Sequence, residues 1–252
     1  MEPITLLIVC PLVFLAGLVD SIAGGGGLIS LPAYMIAGLP AHAALGTNKL
    51  SSAIGASIAT LRMARGGYIT LKLAIPAALG ALVGSAIGAQ LALLTPDNVF
   101  QMLLLVALPI AAFIVMRKRT IGGDETLPMT IKKRCVIVVA VAILVGAYDG
   151  FYGPGTGTFM LIAFTGAAKL GVKEASGEVR VANLASNVAA LVTFLASGVV
   201  WVGLGLIAAA FSIHGNYIGS GMVMKDGSRI VRPIIVVVLI ILFIKVIGDL
   251  AL

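Results

Sequence analysis

The chain has 252 residues, of which 60% are hydrophobic and only 11% are charged. No water-soluble domain covers that much apolar surface, so the composition points to a polytopic membrane protein. The formal net charge of +7 reads as lysine and arginine in cytoplasmic loops and not as a nucleic-acid surface.

An outer-membrane barrel alternates apolar and polar residues over segments of about ten residues. No such period occurs here, which leaves an all-α polytopic architecture. Met1-Glu2-Pro3 leads into the first apolar run, 4–23, without a basic n-region or a small-x-small cleavage site, so the run is expected to be a retained segment. Cys10 lies in it and Cys135 beside a later one; without CxxC or metal spacing they read as packing residues, and no metal site is expected.

The first run ends in "GLVDSIAGGGG". Four consecutive glycines, Gly24, Gly25, Gly26 and Gly27, cannot sustain a helix. The next apolar run, 28–39, spans about 18 Å as a helix, against a hydrocarbon core of about 30 Å. It is expected to be a re-entrant or discontinuous element ending near the midplane, where broken backbone is tolerated only if it is buried or lines a cavity. "GTNKLSS" then opens the run 43–61, with Lys49 among Thr47, Asn48, Ser51 and Ser52. A cation at membrane depth usually faces a pathway, and the neutral side chains can hydrogen-bond an oxyanion. Arg62, Arg65 and Lys72 follow in a loop. The run 73–94 carries "GALVGSAIG", a small-xxx-small packing face.

After the run 97–116, "RKRTIGGDETLPMTIKKR" at 117–134 is the only hydrophilic stretch and reads as a connector. The sequence beyond it repeats the pattern in the runs 135–150, 155–168, 178–197, 199–223 and 230–247. "GAYDGFYGPGTG" matches "GLVDSIAGGGG", so Asp149 falls on Asp20, Gly153 on Gly24 and Gly155 on Gly26. With two residues inserted, "GEVR" falls on "GTNK", which sets Arg180 on Lys49, and Gly84 and Gly88 fall on Gly215 and Gly219. Loop charge reverses between the halves: 62–72 is basic and its counterpart near Trp201 is not, whereas 95–97 lacks a cation and 225–232 carries Lys225, Arg229 and Arg232. Equivalent loops are therefore expected on opposite sides of the membrane. This gives two inverted-topology repeats, 1–116 and 135–252, with a cytoplasmic connector 117–134 and both termini outside.

Short helices starting after Gly27 and Gly157 would aim unpaired N–H groups at the bilayer centre, an arrangement that favours an anion. The expected anion site is built from Gly24–Gly27, Gly153, Gly155, Gly157, Thr47, Asn48, Lys49, Ser52, Arg180, Asn183 and Asn187. Ser186 lies on the same segment as the last three. Asp20 and Asp149 have two readings, as ion-coupling carboxylates or as partners of Lys49 and Arg180 that cap the broken backbone. His42 and His214 read as polar contacts and Trp201 as an interfacial anchor.

"DSIAGGGGLISLPA", "ALGTNKL", "YDGFYGPGTGTF", Asn183-x-x-Ser186-Asn187 and "IVRP" at 230–233 together resemble the TauE/SafE sulfite-exporter family, over nearly the whole chain. The chain is most similar to the family's bacterial inner-membrane subgroup, whose substrates are unassigned. The resemblance implies inverted repeats and export of sulfite, organosulfonates or similar sulfur-containing anions, driven by an ion gradient. The chain departs from relatives that carry lysine in the second repeat. Arg180 retains oxyanion chemistry in a planar, bidentate form, and Glu178 is placed to neutralise it.

The expectation is a secondary transporter with alternating access around a midplane anion site, with no cofactor. Its partners are a small anion and membrane lipid, not nucleic acid, and the small-residue faces would suit a homodimer. The alternatives are an anion channel using the same residues, or a carrier of a carboxylate or another non-sulfur oxyanion. An enzyme is not expected, because no Ser/His/Asp set, HExxH or paired histidines occur.

Overall fold

The computed structural model describes residues 3–96, 123–227, 229–231, 233–234 and 237. Among them the chain forms eight helices and no strand: α1 Pro3–Ala23, α2 Gly27–Ile36, α3 Ala41–Arg65, α4 Leu71–Leu94, α5 Ile131–Phe151, α6 Thr156–Gly166, α7 Val172–Ala196 and α8 Val202–Asp226. The expected run 97–116 and most of 230–247 lie outside the described residues. Five helices, α1, α4, α5, α7 and α8, are long and apolar enough to cross a membrane. Large apolar side chains such as Leu7, Leu94, Val136 and Leu144 point outward, as they do in a protein whose solvent is lipid. The chain is an all-α polytopic membrane protein.

The order long, short, long, long occurs twice, with lengths of 21, 10, 25 and 24 residues and then 21, 11, 25 and 25. The main packing partners exchange accordingly: α4 lies along α5 and α1 along α8, while α3 lies along α8 and α4 along α7. Glycines permit the close pairings. A Cβ on Gly88 would lie 2.0 Å from the Ala147 carbonyl oxygen of α5, and one on Gly215 would lie 2.1 Å from the Phe14 carbonyl oxygen of α1. Helices lack a hydrophobic drive to associate in lipid, so such small-residue contact is what holds them together.

Hydrogen bonds fix the helix directions. The Trp201 N–H donates to Thr47 Oγ1 at 3.0 Å, Thr60 Oγ1 donates to the Arg180 carbonyl at 3.2 Å, and the Thr70 N–H donates to Glu178 Oε1 at 2.6 Å. Rising numbers on α3 thus meet falling numbers on α7, and the two are antiparallel. His42 Nε2 lies 2.9 Å from the Ala92 carbonyl oxygen, which puts the start of α3, the end of α4 and the start of α8 at one end of the bundle. At the other end lie 62–72, 123–134, 167–178 and 225–227. Arg134 ties that end together, donating from Nε to the Ala168 carbonyl at 3.1 Å and from an Nη to the Leu127 carbonyl at 2.9 Å. Among the described residues every lysine and arginine except Lys49 and Arg180 falls at this second end.

Several boundaries differ from expectation. Helix α3 continues through Arg62 and Arg65, and α8 through Lys225, so these cations occupy last turns and not loops. Cations at a helix C-terminus offset its partial negative charge. Helix α5 starts at Ile131, inside the stretch read as connector, with Lys132, Lys133 and Arg134 in its first turn.

Candidate functional site

Helices α2 and α6 are too short to cross: at 1.5 Å per residue they reach about 15 Å and 16 Å. Each follows a glycine break, and the two breaks meet. Gly24 has φ +77°, and a Cβ there would sit 2.2 Å from the backbone of Gly157. No other residue supplies both that dihedral and that approach. The contact is tied by Thr158 Oγ1, which donates to the Ala23 carbonyl at 2.6 Å, and by Tyr148, whose hydroxyl donates to the Pro154 carbonyl at 2.7 Å.

Around this crossing lies a small polar cavity. Gly27 and Thr156, the first residues of α2 and α6, both line it, so two helix N-termini face the same space. Gly24 and Gly153 contribute backbone. Asn48, Lys49 and Ser52 come from α3, Asn183 and Asn187 from α7, and Asp20 and Asp149 from the ends of α1 and α5. Ten of the residues singled out in the sequence converge here from five helices and two loops.

The charges form two crossed pairs. Lys49 Nζ lies 2.8 Å from Asp149 Oδ2, and Arg180 lies 2.8 Å from Asp20 Oδ2. Each cation is held by the carboxylate of the opposite half. Lys49 and Arg180 are only 2% and 3% exposed, so neither reaches an interface. Ser186 Oγ donates to Asp149, and Asn183 Nδ2 donates to Asp20 Oδ2 at 3.4 Å. The four charged groups sum to zero, which allows them to persist at this depth.

The other expected residues stand around the cavity. Arg180 acts on it through Asp20, and its Nε has no hydrogen-bond partner. Gly26 precedes α2 and packs on Ala16 and Asp20; Gly25 accepts from the Leu28 N–H at 3.1 Å. Gly155, with φ +84°, precedes α6 beside the Phe159 ring, and Gly157 holds the crossing. Thr47 is engaged by Trp201 at the bundle end. Glu178 does not neutralise Arg180. It is fully buried and accepts from the Thr70 N–H at the start of α4, because a position two residues earlier on a helix faces another side. Thr156 lines the cavity without having stood out in the sequence; its signal is a polar residue opening a short apolar helix directly after a glycine.

Comparison with known proteins identifies the family of the chain. The family model described as "Sulfite exporter TauE/SafE" matches residues 9–246. A probable membrane transporter protein, ORF9, from Sinorhizobium sp. is 38% identical over 94% of this chain and 90% of its own length. A probable membrane transporter protein of Haemophilus influenzae is 33% identical, covering 94% and 92%. Probable membrane transporter protein YfcA of Escherichia coli is 30% identical, covering 98% and 91%. No solved structure matches the chain. The chain belongs to the TauE/SafE sulfite exporter family, and it is a membrane transporter and not an enzyme.

Proposed function

We propose that the cavity at the crossed glycine breaks binds a small sulfur-containing oxyanion, sulfite or an organosulfonate, and that the protein exports it across a bacterial inner membrane by alternating access. The observation that carries this reading is the convergence of two helix N-termini and the buried Lys49 on one cavity. Backbone N–H groups and a cation, set in low dielectric, recognise an oxyanion; the amides of Asn48, Asn183 and Asn187 and the hydroxyl of Ser52 add neutral hydrogen bonds.

In this conformation the carboxylates of Asp20 and Asp149 occupy the positions an anion would take against Arg180 and Lys49. Substrate binding then exchanges one anionic partner for another and never leaves a buried cation bare. Asn183 and Ser186, which hold the carboxylates, would retain them when the cations turn to the substrate.

The two sets of four helices act as inverted repeats, with the connector and the cation-rich end in the cytoplasm and both termini outside. Three features support this. The loop charges reverse between halves, α3 runs antiparallel to α7, and the cation-rich ends coincide. Rocking of one repeat against the other about the Gly24–Gly157 contact opens the cavity to each side in turn.

Counterflow tests the reading. In proteoliposomes loaded with unlabelled sulfite or sulfoacetate, labelled sulfite outside should accumulate transiently above its equilibrium level. Dissipation without accumulation would indicate an anion channel, and no protein-dependent movement of sulfite or any of a panel of organosulfonates would remove the substrate class.

A further inference from the structure

A second small pocket adjoins the anion cavity and shares Asp20, Gly27 and Ser52 with it. It extends between α1, α2, α3 and α8. Every polar side chain lining it carries oxygen: the Asp20 carboxylate, the hydroxyls of Ser30, Ser52 and Ser212, and the amide of Asn216.

Asn216 is 2% exposed. Its Nδ2 donates to the Ser212 carbonyl at 3.0 Å and lies 3.3 Å from Ser212 Oγ, which fixes the orientation of the amide because a carbonyl can only accept. Its Oδ1 has no hydrogen-bond partner. A buried acceptor without a donor carries a desolvation cost that a cation in the pocket would remove. Ser30 and Ser52 each spend their proton on the protein, donating to the Gly26 carbonyl at 3.2 Å and to Asn48 Oδ1 at 3.4 Å. Their lone pairs stay available.

The pocket is not a by-product of the repeated architecture. The register that pairs Gly46 with Gly177 and Gly84 with Gly215 pairs Gly55 with Ser186 and Asn216 with Ser85. A Cβ on Gly55 would lie 2.1 Å from Ser212 Oγ and 2.7 Å from Asn216 Nδ2, so glycine makes the room that Ser212 and Asn216 use. In the second half Ser186 fills that position and donates to Asp149, while Ser85 Oγ donates to the Ser186 carbonyl at 2.7 Å. Around Asp149 the serine hydroxyls complete the hydrogen bonding; around Asp20 the Asn216 amide leaves an acceptor open.

We propose that Asp20, Ser30, Ser52, Ser212 and Asn216 form a site for a small hard monovalent cation such as Na⁺, whose occupancy loosens Asp20 from Arg180. All-oxygen ligation selects hard cations. One carboxylate, already shared with a guanidinium, carries too little charge for a divalent ion. A cation on Asp20 competes with Arg180 for the same carboxylate and turns the guanidinium toward an anion in the neighbouring cavity. The coupling rests on the proposed anion site, whereas the cation site does not. By reciprocity, cation and anion raise each other's affinity by one common factor, about 5- to 150-fold for an ordinary coupling.

The test is equilibrium binding of ²²Na⁺ to the purified full-length protein in nanodiscs, with choline as the balancing ion. Wild type should bind saturably, and Asn216→Leu should weaken affinity at least tenfold in protein that stays folded and monodisperse. Should Asn216→Leu not fold, Asn216→Ser replaces it, since serine stands at the matched position of the other half. Absence of saturable Na⁺ binding in wild type, or unchanged affinity in the folded variant, overturns the site. Repeating the titration with sulfite separates the two readings. Na⁺ binding without sulfite binding leaves the cation site and removes the anion site, and binding of both with no mutual effect removes the coupling.

Discussion

Lys49, Asp149, Arg180 and Asp20 are each bound to a partner from the other half of the chain. Removing one member of a buried pair leaves a bare charge and costs about 3–5 kcal/mol, while removing both costs less. Lys49→Ala alone should therefore lower the melting temperature in detergent more than Lys49→Ala/Asp149→Ala does. Both should lose sulfite binding, because the double variant restores charge balance but not the cation. Equal destabilisation by the single and double variants, or sulfite affinity retained in the double, would contradict the pairing or the binding role respectively. Each of these four residues stood out in the sequence as a charge in an apolar run. Which carboxylate held which cation did not, because partners 100 and 160 residues apart meet only in the folded bundle. Glu178 shows the same limit: two residues from Arg180 in sequence, it faces Thr70 instead.

At the level of elements, the glycine breaks let two short helices start where two others end. Gly24 combines a left-handed backbone with direct contact on Gly157, whereas Gly38, with φ +91°, has no atom within 4 Å of the position a Cβ would take. Gly38→Ala should thus cost only the left-handed strain, about 1–2 kcal/mol. Gly24→Ala adds steric overlap with backbone and should abolish the monodisperse folded peak on size-exclusion chromatography. Equal behaviour of the two variants would mean that the crossing tolerates separation. The breaks were legible because four glycines in an apolar run have no helical reading, and the short lengths of α2 and α6 followed from the membrane's thickness. That the breaks touch was not legible, since the contact joins residues more than 130 positions apart. The role of Asn216 was hidden for a related reason. In "GNYIGSG" the small residues announce helix packing, and the amide between them shows its unpaired oxygen only once α8 is set against α1 and α3.

Over the whole molecule, the two bundle ends differ in charge, and the proposed orientation makes the cation-rich end cytoplasmic. Arg65 and Ser197 are exposed at opposite ends. In a background lacking Cys10 and Cys135, Ser197→Cys should react with an impermeant maleimide in intact cells, and Arg65→Cys only after the membrane is opened. Labelling of both from one side would contradict the inverted arrangement. The loop-charge reversal is what motivates this proposed orientation in the sequence, although the cations at Arg62, Arg65 and Lys225 close helices instead of lying in loops.

The central claim is that the cavity between the first residues of α2 and α6 is where the anion binds. Anomalous diffraction from crystals soaked in selenite, a heavier oxyanion of the same shape and charge chemistry as sulfite, addresses it most directly. The expected result is one dominant selenium peak within hydrogen-bond reach of Lys49 Nζ, between Gly27 and Thr156, and competed away by sulfite. A dominant peak elsewhere, as on Lys132 and Lys133 at the cation-rich end, with the cavity empty at saturating selenite, would contradict it.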